Sequence, residues 1–204
     1  MIAKPVVMLD FETTGLSPAQ GARITEVAAL RIIDGRIVER FVSLINCEVY
    51  IPSDITALTG ITQAMVDSAP PVAKVLPELL RFIGNDALAA HNASFDAKFL
   101  AAESERLALQ AAYSELICSL LLSRRLAPGL GSYSLSRLAA SLGIRFSGQA
   151  HRAEADAEVS AQVLLHLCAQ LQRRHGRQVE PAMLAAINRL PAAKVPGFLQ
   201  QQAA

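Results

Sequence analysis

The chain opens on a short apolar run, Val6-Val7-Met8-Leu9, whose β-branched content predicts a buried strand. Further on, "RITEVAALRII" and "RIVERFVSLI" flank the dipeptide Asp34-Gly35, the signature of a β-hairpin. Three strands are thus expected in succession, with "GLSPAQGA" as a loop after the first. "AKVLPELLRFIG" has helical periodicity despite Pro77, and "DALAAH" is a short buried strand leading to His91. "ASFDAKFLAAESERL" predicts a helix, and "SELICSLLLSRRL" a strand that passes into a helix. "SLSRLAASLGI" predicts a compact helix with Gly143 as its C-cap. A long helix follows, from about Ala153 to Arg174. Beyond it the chain has prolines at 181, 191 and 196 and one short amphipathic segment, "PAMLAAINRL". The expected organisation is one domain over residues 1–174 and a C-terminal tail over 175–204, a linker or docking segment. A hairpin sheet followed by alternating helices and strands points to the α/β class, a mixed sheet with helices on its faces.

Two carboxylates break this pattern at the end of the first strand. Alternate strand residues share a face, so Asp10 and Glu12 point the same way and repel unless something positive lies between them. The long helix carries a second anomaly. At about 100° per residue, Val159, Val163 and Leu167 fall within about 60° of Asp156, while Glu154 and Glu158 point to the opposite side. Asp156 therefore sits inside an apolar stripe. Asp96 repeats the arrangement between Phe99 and Leu100. A charge on an inward face is costly unless it is paired or metal-bound. Four such carboxylates without four cationic partners suggest divalent metal, and hard oxygen ligands suit Mg²⁺ or Mn²⁺ rather than zinc. Metal pairs about 3.5–4 Å apart serve in-line phosphoryl displacement. A base for the attacking water would complete the set, and His151 in "HRAEAD" stands where a loop would enter the long helix.

Composition narrows the setting. A 204-residue chain with 52% hydrophobic residues has ample material for a core, and no apolar stretch reaches a membrane-spanning length of about 18 residues. The N-terminus lacks the features of a secretion signal. Cys47, Cys118 and Cys168 are widely spaced and form no CxxC, so a reducing, cytoplasmic location is expected. The net charge of +1 is uneven: residues 1–120 hold 9 Lys/Arg and 14 Asp/Glu, and residues 121–204 hold 10 and 4. The basic second part permits a polyanionic partner without demanding one.

"DFETTG", "HNASFDAKFL" and "HRAEADAEVSA", in that order, resemble the three exonuclease motifs of the DEDDh superfamily. The similarity covers roughly residues 4–172. That family has a ribonuclease H-like fold and includes the proofreading subunit of the bacterial replicative DNA polymerase, ribonuclease T and oligoribonuclease. The resemblance implies a mixed five-stranded sheet, three antiparallel strands first, flanked by helices. It implies that Asp10, Glu12, Asp96 and Asp156 hold two divalent metal ions, Mg²⁺ or Mn²⁺, and that His151 is the catalytic base. The sister subclass would place a tyrosine where Arg152 stands, so the histidine subclass is indicated.

The same resemblance brings the main chain at Thr13 and Gly15 to the terminal nucleotide and packs Leu16 against its base. "ALTGIT" resembles a second segment that grips the terminal bases, with Leu58 and Ile61 as candidates, and Asn92 either touches the scissile strand or caps its helix. Glu26 stands unassigned, as a support for the site or as a simple ion-pair partner. The expectation is a 3′→5′ exonuclease that releases nucleoside 5′-monophosphates from single-stranded or frayed DNA in proofreading or repair, with a DNA polymerase as a candidate partner and no membrane. The alternatives are an RNA 3′-end trimmer and a non-catalytic nucleic-acid-binding or polymerase-docking module.

Overall fold

The computed structural model describes residues 2–146, 148, 150–176 and 178–203. Strands β1 (Val6–Thr13), β2 (Ile24–Ile33) and β3 (Arg36–Leu44) form an antiparallel meander. Asp34 and Gly35 have φ of 51° and 76° at the hairpin tip, where a two-residue turn matched to strand twist needs positive φ at both positions. Helices α1 (Ser53–Thr59), α2 (Gln63–Asp67) and α3 (Val72–Ile83) lead to β4 (Ala87–Ala90) and α4 (Ala93–Arg106). Next come β5 (Leu116–Cys118), α5 (Ser119–Leu126), α6 (Leu135–Ser141) and α7 (Ala153–His175). Helices α8 (Pro181–Arg189) and α9 (Val195–Ala203) complete the chain. The strand order is β3-β2-β1-β4-β5, with β4 and β5 parallel to β1. This is the five-stranded mixed sheet, three antiparallel strands first, that the sequence motifs implied.

The pleat divides β1 between two cores. Val6 and Met8 pack with Ala28 and Leu30 against α5, α6 and α7, while Val7, Leu9 and Phe11 pack with Val27 and Ala29 against α3 and α4. Both faces of β1 are covered, so its first four residues can all be apolar. In α3, Pro77 removes an internal hydrogen bond, a loss of about 3 kcal/mol in an isolated helix. Val72, Val75, Leu76, Leu79 and Ile83 are all buried on that helix and outweigh it, at about 1.5–3 kcal/mol each. The three cysteines are buried and free.

Three helices are absent from the sequence reading. The first two, α1 and α2, have seven and five residues, too few to show a helical period. The third, α9, reads "VPGFLQQQA", with Pro196 and Gly197 in its first turn. A proline there forgoes an N–H that a helix leaves unpaired anyway.

The last 26 described residues fold back on the domain. Val179, Leu184, Ile187, Val195 and Leu199 join the core that holds Val6, Met8, Leu122 and Leu167. The Asn188 amide group accepts from the Cys118 N–H at 2.7 Å and donates to the Cys118 carbonyl at 3.1 Å. A side chain thus takes the place of a further strand at the edge of β5, which closes an otherwise open edge.

Candidate active site

The short β4 determines where the carboxylates meet. Its pairing with β1 ends at Met8↔Ala89, while on the other side β2 pairs with β1 as far as Glu12↔Glu26 and beyond. Beyond Met8, β1 therefore has a free edge on the β4 side. Asp10 and Glu12 continue the face of Val6 and Met8, the one covered by α7. Asp156 lies in the first turn of α7, turned inward by the buried Val159, Val163 and Leu167. One carboxylate oxygen from each of Asp10, Glu12 and Asp156 lies within 4.8 Å of the other two.

Asp96 arrives from the other face. Its helix, α4, is anchored by Phe99 and Leu100 in the core with Val7, Leu9 and Phe11. Asp96 Oδ1 accepts the Phe11 N–H at 3.2 Å, the amide left without a strand partner where β4 stops. Asp96 is therefore fixed to the backbone between Asp10 and Glu12 and stands outside the three-carboxylate group. Asp96 and Asp156 both sit in first turns of helices, where the unpaired N–H groups favour negative charge.

The electrostatics are those of a site built for a cation. Burial, then the charges of Asp96, Glu12, Asp156 and Glu26, hold the Asp10 carboxyl well above the usual carboxylate range. Burial and then Asp156 and Glu26 push Glu12 up to about 8, against the opposing pull of Arg152. Burial pushes Asp96 up to about 7, opposed by N–H groups that include Phe11's. Asp156 is raised by burial and lowered by the charge and backbone N–H of His151. Asp156 Oδ1 is also buried without a hydrogen-bond partner. A buried carboxylate oxygen with no donor, beside two more carboxylates, fits a hard divalent ion.

His151 precedes α7, exposed and with φ of 62°, a left-handed conformation unusual for a residue with a Cβ. Thr13 and Thr14 are buried and tie down the loop after β1: Thr13 Oγ1 donates to the Gly15 carbonyl at 2.7 Å, and Thr14 Oγ1 accepts from Arg23 N at 3.0 Å. Leu16 is 81% exposed and shares a groove of about 240 Å³ with Thr14, Gly15 and Tyr50, itself 76% exposed. Tyr50 escaped the sequence reading, since no periodicity marks a lone aromatic in a loop. Leu58 on α1 is 48% exposed. Ile61 corrects the expectation for its segment: it is fully buried with Cys47, Ile51 and Val66 and offers no side-chain surface to a substrate. Asn92 takes the N-cap position of α4 with φ of 69°, but its exposed side chain makes no capping bond. His91 is held between Ser119 Oγ and the Tyr133 carbonyl, each at 3.0 Å, and burial lowers its pKa, which fits a neutral structural ring.

The raised carboxyl pKa values carry a sign for stability. Between the ordinary carboxylate range and pH 8 the metal-free native state binds more protons than the unfolded chain. The contribution is full at low pH and is lost as pH rises through about 7 and about 8. In chelator, the melting temperature should fall by several degrees between pH 5.5 and pH 8.5, and Mg²⁺ or Mn²⁺ should restore it at pH 8.5. Equal melting temperatures at both pH values in chelator would contradict the assignment.

Comparison with known proteins gives a consistent picture. The family model described as "Exonuclease" matches residues 7–164. The DNA polymerase III subunit epsilon of Aquifex aeolicus (strain VF5) is 33% identical over 170 residues, covering 83% of this chain and 83% of that one. The 3′-5′ exonuclease DinG of Bacillus subtilis (strain 168) is 36% identical over 167 residues, which cover 82% of this chain but 18% of DinG. The chain thus spans most of the epsilon subunit and under a fifth of DinG. Among solved structures, Exonuclease X in complex with 5′ overhanging duplex DNA superposes with a TM-score of 0.69 at 29% identity, covering 90% of this chain and 99% of that one.

Proposed function

Since the chain belongs to the exonuclease family, we propose that it is a metal-dependent 3′→5′ exonuclease that removes nucleotides from single-stranded or frayed DNA 3′ ends as 5′-monophosphates. The observation that carries this reading is the meeting of Asp10, Glu12 and Asp156, with an unpartnered buried oxygen on Asp156. Asp10, Glu12, Asp156 and the adjacent Asp96 would hold two divalent ions, Mg²⁺ or Mn²⁺. Bound there, such ions supply positive charge opposite the phosphate oxygens and lower the pKa of water. His151 accepts the proton that water gives up as its oxygen bonds to phosphorus and the bond to the preceding nucleotide's 3′ oxygen breaks. The products are a nucleoside 5′-monophosphate and a shortened strand with a free 3′ hydroxyl. Leu16, Tyr50 and Leu58 offer exposed apolar surface to unstacked bases. The main chain at Thr13 and Gly15 and the exposed Asn92 side chain stand ready for sugar and phosphate. Likeness to a polymerase III subunit over most of its length favours action with a DNA polymerase, in proofreading or repair.

The test is digestion of one sequence prepared as DNA and as RNA, single- and double-stranded, with Mg²⁺, Mn²⁺ or chelator. Single-stranded DNA should be shortened from its 3′ end with release of 5′-monophosphates, and chelator should stop the reaction. Faster loss of the RNA would instead make the protein an RNA trimmer, and no cleavage with either metal would leave only a binding module.

His151→Ala should lower the DNA rate by about 10²–10⁴-fold, as for loss of a general base. The metal concentration for half-maximal rate should stay unchanged. A collapse of metal affinity with full rate at saturating metal would make His151 a ligand.

A further inference from the structure

We propose that Glu26 and Arg152 are positioning residues that fix the His151 imidazole over the carboxylate site. The inference rests on the reading of His151 as the base. Glu26 lies on β2 directly across from Glu12 on β1, 3% exposed. Like charges at facing strand positions are destabilising, so a second acid beside the site requires a compensating group. Arg152 supplies it. Its Nε donates to Glu26 Oε2 at 3.0 Å and its Nη2 to Oε1 at 2.5 Å, a two-pronged pair. Glu26 Oε2 also accepts the Ala153 N–H at 3.0 Å, one of the unpaired donors at the start of α7. One buried carboxylate therefore holds two consecutive residues, 152 and 153, immediately after His151.

That grip works beside a second one, since the His151 backbone N–H donates to the Asp156 carboxylate, whose charge also attracts the imidazole. Among the described residues the His151 ring has no hydrogen-bond partner, so the backbone that carries it contributes to its place alongside the charge of Asp156. The left-handed φ of 62° costs on the order of 1–2 kcal/mol for a residue with a Cβ and persists only if its surroundings impose it. The pair of hydrogen bonds from Arg152, together with the one from Ala153, pins the chain at the point where it must leave that conformation and enter the helix. The Arg152 guanidinium also tempers the field at Glu12, so the same contact serves both halves of the site.

The test is a set of double-mutant cycles on single-stranded DNA at saturating metal, well below the melting temperature of every variant. Glu26→Ala and Arg152→Ala should each lower kcat by about 10–100-fold with KM for the oligomer little changed, as for lost outer contacts of a reacting group. Arg152→Lys keeps the charge but loses the planar fork, so it should recover only part of the rate. In a His151→Ala background the same substitutions should change kcat by less than about threefold, because no imidazole remains to be placed. Equal losses in both backgrounds would overturn the proposal, as would a raised metal requirement common to both, which would show the pair acting on Asp156. If His151→Ala itself left the rate intact, the assignment of the base would fall, whatever the pair does.

Discussion

Asp156→Asn is expected to reduce DNA cleavage by at least about 10³-fold, the scale of several kcal/mol of lost charge stabilisation at a metal-assisted phosphoryl centre. The substitution keeps the shape of the side chain and removes its charge, so folding should survive. The native protein forces the carboxylates of Asp10, Glu12 and Asp156 to share one small volume, and without metal their charges oppose folding. The metal-free variant should therefore melt higher than the parent at pH 8.5, above the value of about 8 to which Glu12 is pushed. Metal should stabilise the parent much more than the variant, by the usual dependence on ligand concentration. Digestion of a labelled oligomer and paired melts with and without metal would check both halves. Wild-type turnover in the variant would sink the site. A lower melting temperature in chelator would show that Asp156 is held by contacts other than those seen.

Ending the chain after Gly176 is expected to cost the domain its cooperative fold. Val179, Leu184, Ile187, Val195 and Leu199 are each no more than 7% exposed in the principal core. At about 1.5–3 kcal/mol for each buried apolar side chain, their removal approaches about 8–15 kcal/mol before any discount for a compact denatured state. Halved, it still rivals the whole stability of a typical domain, about 5–15 kcal/mol. The truncation also strips the β5 edge of its Asn188 partner and Arg125 of its bond to the Leu190 carbonyl. A circular-dichroism melt decides it. A cooperative transition within about 5 °C of the full chain, with digestion intact, would show residues 177–204 to be a dispensable attachment.

The sequence marks this segment as a linker or docking tail, while Val179, Leu184, Ile187, Val195 and Leu199 pack into the principal core, and that contrast shows which features a sequence displays. Local pattern is legible: the apolar run of β1 marks a buried strand, its two-residue repeat puts Asp10 and Glu12 on one face, Asp34-Gly35 announces its hairpin, and Asp156 stands out in the stripe of Val159, Val163 and Leu167. Placement that depends on distant partners is not. "PAMLAAINRL" reads as an amphipathic helix from its own residues, but nothing in it says that its apolar side meets α5 and β5. Ile61 and Leu58 look equivalent three residues apart, and only the burial of Cys47, Ile51 and Val66 around Ile61 separates them. Glu26 and Arg152 lie 126 positions apart, and the strand register that brings them together is a property of the assembled sheet. Asp96 belongs to the motif set, yet its approach from the opposite face follows from the length of β4.

The Phe11 amide makes that approach observable. Most strand amides report on a neighbouring carbonyl, whose charge never changes. This one donates to Asp96, whose carboxyl is pushed up to about 7. An ionised acceptor pulls more strongly on an amide proton than a neutral one. In a heteronuclear NMR titration of the metal-free protein, the Phe11 proton should move downfield as pH crosses that value. Once metal holds the carboxylate ionised, the resonance should stop responding to pH. A single backbone proton, with no label and no substrate added, would then read out the charge state of the site in solution.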